Sequence, residues 1–389
     1  MTGLEILFWA ATATVTYTYA GYPLLLRLAG LTTRRPPRAQ GQRPRLSVVI
    51  SAYDEAATIA AKLRSTLEQR DPVDGLEVIV VSDGSDDGTD EIVRACGDPR
   101  VRLIRQEPRA GKSLALNRGV AAASGDVLVF TDANAAFAPH ALERLAAPFA
   151  DPSVGLVSGQ GLSALNEGGD TRAVANGYVR YEAALKAAES RLGFVAGADG
   201  AIYALRRELY RDLAAAEVND LLHPIQTALA GYRCRFDAHA ITVEPPSKGS
   251  GHEWGRQVRM VAQGVHLVSR WLPRLVAARR WREAWGLVSH RALRWLTAPL
   301  LAVMLLTNLA LDDRGRIYDV TLAGQAGFHA LAALGLLAER AGVRLGPGAL
   351  PYYFWVVAAA GVAGVLRWLR GGAQAVWAPT SRIATDRAA

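Results

Sequence analysis

The chain begins with a long apolar segment, residues 4–28, that only two charged residues interrupt. A helix of this length can span a hydrocarbon core of about 30 Å. Positive charges follow the segment at Arg34, Arg35 and Arg38, whereas a cleaved signal peptide carries its positive charges first. We therefore predict an uncleaved membrane anchor whose carboxyl end, by the positive-inside rule, lies in the cytoplasm. Residues 34–44, rich in Pro, Arg and Gln, are predicted to form a linker.

From residue 46 the pattern changes to short apolar runs separated by amphipathic stretches. The apolar runs predict four strands, at residues 46–51, 77–82, 101–105 and 126–131. The stretches between them predict three helices, at residues 56–69, 89–95 and 112–122. Strands that alternate with helices at this spacing are typical of an α/β protein with a parallel, right-handed, doubly wound sheet.

Apolar character returns near the end of the chain. Residues 296–311, 320–337 and 352–369 are apolar enough to span a membrane, or nearly so. The preceding stretch, residues 261–295, interleaves tryptophan with arginine, which is typical of helices that lie in a membrane interface, although a soluble amphipathic helix is possible. If all three later segments and the anchor crossed, the basic tail would lie outside, against the positive-inside rule. Either the last segment is re-entrant or one of the three does not cross, and we expect a cytoplasmic tail.

These patterns predict five segments. They are an anchor at 1–31, a catalytic domain at 45–245, a loop with amphipathic interfacial helices at 246–292, a transmembrane region at 293–372 and a tail at 373–389. Composition agrees with this division, since half of the 389 residues are hydrophobic and only 21% are charged. The net charge of +8 comes from arginines beside apolar runs, which favours an anionic membrane surface over nucleic acid. The two cysteines are too few for a disulfide framework or a zinc site.

Polar clusters follow each of the four predicted strands. Because the carboxyl ends of parallel strands meet at one edge of a sheet, these clusters are expected to share a crevice. The last of them, Asp132 and Asn134, offers two oxygen ligands that suit Mg²⁺ or Mn²⁺, and such a cation in turn suits a diphosphate. The alternative is a turn in which either side chain bonds its own backbone.

The order of these segments carries a resemblance. The stretches SVVISAYDEAATI, VIVVSDGSDDGT, GKSLALNRG and GDVLVFTDANAAF, in this order, resemble glycosyltransferase family 2 over residues 46–260. That family consists of inverting nucleotide-sugar transferases of GT-A fold, a Rossmann-like and mostly parallel sheet, and includes membrane-bound polysaccharide synthases. The resemblance implies that three residues hold the base and ribose of a UDP- or GDP-sugar, namely Tyr53, Glu55 and Asp83. It also implies Lys112 near the diphosphate and Asp132 on a divalent cation, Mg²⁺ or Mn²⁺, while Asn134 replaces the usual second aspartate.

Two later stretches extend the resemblance. VAGADGAIY, with Gly197, Asp199 and Gly200, resembles the family's loop beside donor sugar and acceptor, although glycine pairs are common in loops. Asp220 occupies the place of the family's catalytic base. From the residues alone, Asp220 is better explained as the N-cap of a helix at 221–230, and both roles are compatible.

Residues 256–260 differ from the Gln-x-x-Arg-Trp motif of the family's processive members. Arg259 matches the motif's arginine, which would meet the diphosphate, but Arg256 and Met260 replace the glutamine and the tryptophan. A tryptophan offers a flat face to a sugar ring, and a methionine does not. We therefore predict an enzyme that adds one sugar or a few to a glycan or lipid-linked acceptor. We expect it at the inner (cytoplasmic) membrane, in contact with membrane lipids and not with nucleic acid. The alternative is a non-catalytic membrane scaffold or sensor that keeps the nucleotide-sugar-binding fold.

Overall fold

The computed structural model describes residues 2–33, 44–69, 75–163, 170–245, 250–311, 314–341, 343 and 346–371. The first two helices, α1 (Gly3–Thr16) and α2 (Tyr22–Leu31), are joined by a π-helical turn at Tyr17–Gly21. Thr2 and Glu5 form a capping box at the start of α1, since each side chain accepts the other residue's backbone N–H. The predicted linker, except for residue 44, and the tail at 373–389 lie outside the described residues.

The next segment alternates strands and helices as the apolar pattern predicts. In chain order the elements are β1 (Leu46–Ala52), α3 (Ile59–Leu67), β2 (Glu77–Ser82), α4 (Thr89–Ala95), β3 (Val101–Arg105), α5 (Lys112–Ala121) and β4 (Val127–Asp132). The four strands pair in parallel in the order β3-β2-β1-β4. The four predicted strands are confirmed, and each lies within one residue of its predicted bounds.

Helix α3 begins at Ile59, not at residue 56 as predicted. The backbone N–H groups before it are held by the loop that leads into α4. The N–H of Glu55 donates to Thr89 Oγ1 (2.9 Å), and that of Ala56 donates to Asp87 Oδ2 (2.9 Å). These bonds fix the chain in a turn after β1, so the helix starts only beyond it.

The second half of the sheet is not evident from the apolar pattern. Its elements are β5 (Ala136–Phe137), α6 (Ala141–Ala146), β6 (Val154–Ser163), α7 (Asp170–Arg191), β7 (Tyr203–Arg206), α8 (Asn219–Leu229) and β8 (Arg233–Glu244). β7 runs antiparallel to both β4 and β6, β5 runs antiparallel to β8, and β6 and β8 are parallel. The sheet is therefore mostly parallel, as the family resemblance implies, and its antiparallel pairs all involve strands of this second half. β6 is glycine-rich and β8 alternates polar with apolar residues, so neither forms a continuous apolar run.

Both faces of the sheet are buried, as expected for apolar strands covered by helices on each side. Val49 and Phe130 belong to the cluster on one face, and Val48 and Val129 belong to the cluster on the other. Helix α5 approaches β1 closely at Gly119, where a Cβ atom would lie 2.5 Å from Val49 Cγ1. This close contact brings the start of α5, with Lys112, to the edge of the sheet.

Helices make up the rest of the described chain. They are α9 (Ser250–Ala277), α10 (Trp281–Leu287), a π-helical turn (Val288–Ala292), α11 (Leu293–Trp295), α12 (Thr297–Leu309), α13 (Arg316–Arg340) and α14 (Leu350–Leu369). By length and composition α13 and α14 could each cross a membrane, and the pair formed by residues 281–295 and α12, bent by 61°, could supply a third span. The helices that cover residues 4–28 are not among these candidates, and the anchor stays a prediction.

Helix α14 packs along its length on other helices of the molecule. Near its start the ring of Tyr353 meets an aromatic ring of α7 edge-on, with centroids 6.3 Å apart. Further along, Gly361 lies against the backbone of Trp295, where a Cβ atom would come within 3.1 Å. At Gly364 a Cβ atom would lie 2.5 Å from the Cβ of Val261 in α9. These contacts place α14 beside helices that adjoin the sheet.

A buried polar network joins α2, α7 and the π-helical turn after α10. The Glu189 carboxylate, in α7, accepts hydrogen bonds from Tyr22 Oη (2.7 Å) and from the backbone N–H of Ala196 (3.0 Å). The two ring nitrogens of His290 face Glu189 Oε1 at 2.7 Å and Glu182 Oε2 at 3.0 Å. Burial tends to raise the pKa of Glu189, but His290 and the hydrogen bonds hold it below its ordinary value. The network fixes the chain before the loop at 195–203, which belongs to the site described next.

Candidate active site

The predicted crevice forms where the parallel strands end. In the register of the sheet Ala52 pairs with Ser82, and Ser51 pairs with Asp132. The polar residues that follow β1, β2 and β4 therefore start from one edge. This geometry follows from strand order alone, and the side chains described below supply its chemistry.

Asp83, directly after β2, is buried and holds a loop in place. Its carboxylate accepts hydrogen bonds from Gln106 Nε2 (2.6 Å) and from the backbone N–H groups of Ala110 (2.8 Å) and Gly111 (2.8 Å). The loop from β3 to α5 is thus tied to the end of β2. Because a carboxylate has about four lone-pair sites, Asp83 keeps capacity for one more donor, such as a base N–H.

An arginine that the sequence analysis missed lies over Tyr53. The guanidinium carbon of Arg109 is 3.5 Å from the centroid of the Tyr53 ring, and its Nε is 3.8 Å from Asp83 Oδ2. The charge of Asp83 attracts the Arg109 guanidinium, and the cation–π contact of that guanidinium holds the Tyr53 ring in place. Glu55 accepts a hydrogen bond from Thr58 Oγ1 (2.6 Å), so its carboxylate supports the turn before α3. The predicted roles of Tyr53, Glu55 and Asp83 in nucleotide binding stay predictions.

Lys112 and Asp132 form the charged centre of the crevice. Lys112 Nζ donates to Asp132 Oδ1 at 2.6 Å, and both side chains are partly exposed. Burial works to lower the pKa of Lys112, but Asp132, Asp220 and Glu244 together raise it above its ordinary value. The ammonium group is therefore charged where the resemblance expects a diphosphate.

The oxygen donors near Asp132 fit a divalent cation that a substrate also helps to hold. The side-chain oxygen of Asn134 is buried and has no hydrogen-bond partner among the residues that the structure describes. A buried oxygen without a donor costs free energy, and a hard cation beside Asp132 would satisfy it. Within the described residues no group of three or more His, Cys, Asp or Glu forms a metal site made of protein ligands alone. Asp132 and Asn134 would thus share a Mg²⁺ or Mn²⁺ ion with phosphate oxygens.

A buried lysine that is not evident from the sequence pattern supports the loop after β4. Lys62, in α3, is only 1% exposed and donates to Thr131 Oγ1 (2.8 Å) and to the carbonyl oxygen of Ala135 (2.5 Å). Its ammonium nitrogen also lies 3.4 Å from the centroid of the Phe137 ring. Burial holds the pKa of Lys62 well below its ordinary value. These contacts fix both ends of the segment that carries Asp132.

Asp220 lies beside the glycine-bearing loop, at the start of α8. The helix begins at Asn219 and its N-cap is Val218, so the interpretation of Asp220 as N-cap was wrong. The Asn219 side chain donates a hydrogen bond to Tyr203 Oη (2.7 Å). The Asp220 carboxylate faces the loop at Gly200. A Cβ atom on Gly200 would lie 2.8 Å from Asp220 Oδ2, so a larger residue there would displace the carboxylate.

The pKa of Asp220 depends on charged residues from several parts of the crevice. Its pKa is raised above 3.8, with burial as the largest cause and with Asp199 and Asp132 adding to it. Lys112 and Arg291 oppose that rise. A carboxylate whose pKa is raised is a stronger proton acceptor, as a general base requires.

Arg291 is a further residue that the sequence analysis did not select. It lies in the π-helical turn Val288–Ala292, and its guanidinium lies so close to Gly197 that a Cβ atom there would force it to move. Its Nε is buried without a hydrogen-bond partner within the described part of the chain. The alternation of tryptophan and arginine in residues 261–295 predicts a membrane interface for this stretch. Only the fold brings Arg291 to the loop and within electrostatic range of Asp220.

Asp199 holds the loop on the sheet. Its carboxylate accepts from the backbone N–H groups of Gly161 (2.9 Å) and Ala201 (3.2 Å), and its own N–H donates to Ser158 Oγ (2.9 Å). Lys186 Nζ lies 3.9 Å from its Oδ2. Asp199 is therefore a structural support of the loop, and its predicted contact with donor or acceptor stays a prediction.

Arg259 lies on α9 in a group of arginines. Burial lowers its pKa, and the neighbouring charges of Arg256 and Arg367 lower it further. Arg367 belongs to α14, so the group joins α9 to the last described helix. The predicted contact of Arg259 with a diphosphate stays a prediction.

Comparisons with known proteins identify the family. Residues 47–213 match the model of the family described as Glycosyl transferase family 2. These residues form a glycosyl transferase family 2 domain. The chain is also similar to a solved mannosyltransferase, PcManGT from Pyrobaculum calidifontis, in complex with GDP-Man and Mn²⁺. That likeness has a TM-score of 0.67 at 26% sequence identity and covers 94% of this chain and 99% of the other. The fold is accordingly GT-A.

Two curated relatives agree with this family. Glycosyltransferase AglD of Haloferax volcanii is 42% identical over 119 residues, which cover 29% of this chain and 19% of the relative. The probable glycosyltransferase YdaM of Bacillus subtilis is 28% identical over 258 residues, which cover 61% of this chain and 60% of the relative. In both comparisons the chain spans less than two thirds of the relative's length. Asp220, Arg259 and Arg291 lie beyond the matched family segment.

Proposed function

We propose that the chain is a membrane-bound, inverting glycosyltransferase that moves a sugar from a UDP- or GDP-sugar to a glycan or lipid-linked acceptor. The observation that carries the proposal is the position of Asp220. Its carboxylate, with a raised pKa, lies against Gly200 and within electrostatic range of Lys112 and Asp132. A base and a diphosphate-binding group are thereby next to each other, as a displacement at an anomeric carbon requires.

The proposed reaction is a single displacement. Asp220 Oδ2 takes the proton of the acceptor hydroxyl while that oxygen forms a bond to C1 of the donor sugar. The bond between C1 and the phosphate oxygen breaks on the opposite face, so the configuration at C1 inverts. Lys112 neutralises negative charge that develops on the departing diphosphate. Arg291, close to the loop and with a free Nε–H, would orient an anionic or hydroxyl group of the acceptor.

We also propose dependence on a divalent cation. Asp132 and Asn134 would hold it, and the ion would neutralise charge on the leaving diphosphate. The partnerless oxygen of Asn134 supports this proposal, as does the Mn²⁺ in the solved mannosyltransferase. The GDP-Man in that structure makes GDP-mannose a donor to be tried first.

Purified full-length protein should release nucleotide from a UDP- or GDP-sugar when membrane lipids are supplied as acceptors. With radiolabelled donor we expect a short, lipid-extractable product, because Met260 and Arg256 do not supply the sugar-stacking and amide groups of processive relatives. A ladder of long, lipid-free polymer would contradict the short product. Absence of nucleotide release with every donor, from protein that binds the nucleotide, would favour the scaffold.

We place the enzyme in the cytoplasmic membrane with its catalytic domain in the cytoplasm. Helices α13 and α14 support membrane association, and the arginines after residue 33 support the orientation of the anchor. Because α14 packs on α7, α11 and α9, we infer that it is the segment that does not cross.

A reporter active only outside the cytoplasm should be silent when fused after Arg35 and also after Ala389. Reporter activity after Arg35 would show that the anchor has the opposite orientation. Reporter activity after Ala389 alone would show that α14 crosses the membrane.

A further inference from the structure

A second cavity of about 440 Å³ lies where α9 turns into α10, and none of the proposed catalytic residues lines it. Leu192 and Gly193, which follow α7, and Gly231, before β8, form part of its wall. Its charged lining is strongly basic, consisting of Arg233, Arg279, Arg280, Arg282 and a single carboxylate, Glu283.

Two glycines let arginine side chains lie close over the wall of the cavity. A Cβ atom on Gly193 would come within 3.0 Å of Arg233 Nε, and one on Gly231 would come within 3.2 Å of Arg280 Nη2. Both glycines have a positive φ, 89° and 91°, which other residues rarely adopt. A side chain at either position would strain the backbone and push the neighbouring guanidinium away by a few tenths of an ångström.

The arginines of this cavity have no protein acceptors among the described residues. In the described part of the chain, none of the four forms an ion pair within 4.0 Å or a side-chain hydrogen bond. Arg279 also has a φ of 57°, a left-handed conformation that is costly for any residue with a Cβ. Several unpaired guanidinium groups around one cavity repel one another, and an anion with several acceptor oxygens would relieve that repulsion.

The cavity lies beside the end of the predicted anchor. A Cβ atom on Gly30, in α2, would lie 3.5 Å from Cδ of Arg191, the residue before Leu192. Trp281, which also lines the cavity, is 60% exposed. An exposed tryptophan among arginines at the end of a membrane anchor is typical of the lipid headgroup layer.

We propose that this cavity binds the phosphodiester headgroup of an acidic phospholipid, with Trp281 in contact with the adjoining lipid. The site rests on the membrane association stated above but not on glycosyl transfer. Binding would fix the turn between α9 and α10 against the membrane surface. Through α10 it would also steady the π-helical turn that carries Arg291.

Native mass spectrometry of the full-length chain in detergent tests the site without any measurement of activity. With equal amounts of phosphatidylglycerol and phosphatidylcholine, the wild type should retain phosphatidylglycerol preferentially. Arg279→Gly and Arg282→Gln should each weaken that retention by about fivefold. Arg279→Gly removes the charge and also relieves the left-handed backbone, so weaker binding by this variant would not come from a loss of stability.

Arg270→Gln is the matched control, because Arg270 is an exposed arginine of α9 that does not line the cavity. It should bind phosphatidylglycerol as the wild type does. Equal retention of the two lipids by the wild type, or an equal loss in Arg270→Gln and Arg282→Gln, would overturn the proposal. Displacement of the lipid by an equal concentration of inorganic phosphate would also overturn the proposal, since the cavity would then be a binding site for free phosphate.

Discussion

Replacing Asp220 by asparagine is expected to lower turnover by about a hundredfold or more while the fold persists. The side chain keeps its size, and the backbone bond from Ala198 N to Asp220 O (2.8 Å) is not affected. Since Val218 is the N-cap, the substitution removes no helix cap. The raised pKa of Asp220 means that the folded state disfavours its charged form, so the neutral asparagine should leave the unfolding temperature unchanged or higher at neutral pH.

The measurement is turnover at saturating donor and acceptor, together with a thermal unfolding curve of each protein. Asp212→Asn, at an exposed position before the same helix, is the matched control and should keep full activity. In the wild type, kcat/KM should fall with acidification through a pKa above 3.8, because the base acts only when deprotonated. Unchanged turnover in Asp220→Asn would remove the base assignment and leave the carboxylate a structural group.

Replacing Asp132 by asparagine is expected to remove nearly all activity, at least about a hundredfold in turnover. Two interactions are lost together. The cation loses its one charged protein ligand in the proposed site, and Lys112 loses its 2.6 Å ion pair. Nucleotide binding should therefore become weaker in Mn²⁺ and less dependent on Mn²⁺ than in the wild type.

Calorimetric titration of the nucleotide with and without Mn²⁺ separates these effects from a loss of folding. Asp126→Asn is the control, because Asp126 directly precedes the same strand, with its side chain 56% exposed and bonded to the backbone N–H of Arg45. It should retain both activity and the Mn²⁺ dependence. If the wild type kept full activity in EDTA, metal dependence would be excluded and the Lys112–Asp132 pair would have to act alone.

The first half of the sheet could be predicted from the sequence because its strands are continuous apolar runs. A strand buried on both faces has no polar positions, so its limits and the polar residues after it are visible without a structure. Asp83, Lys112 and Asp132 were selected in this way, and the register confirms that β1, β2 and β4 end at one edge. The family resemblance then supplied Asp220, whose local sequence favoured a cap that the structure does not contain.

The second half of the sheet could not be predicted because its strands are not continuous apolar runs: β6 is interrupted by glycines, β7 is short and β8 alternates polar with apolar residues. β7 has four residues, and its antiparallel direction depends on where β4 and β6 lie. Strand direction of this kind is a long-range property, and the local apolar period carries no information on it. The same holds for α3, whose start was delayed by bonds to residues some thirty positions later along the chain.

The sequence by itself determined the α/β class, the parallel half of the sheet and the residues at its edge, because burial on both faces imposes an apolar pattern. Only the tertiary structure decided which distant charges join that edge. Arg291 comes from a stretch with the composition of a membrane interface. Lys62 comes from an amphipathic helix, in which a lysine is expected to face water, yet it is buried. Their positions depend on how helices pack on the sheet, and packing joins residues that have no relation in sequence.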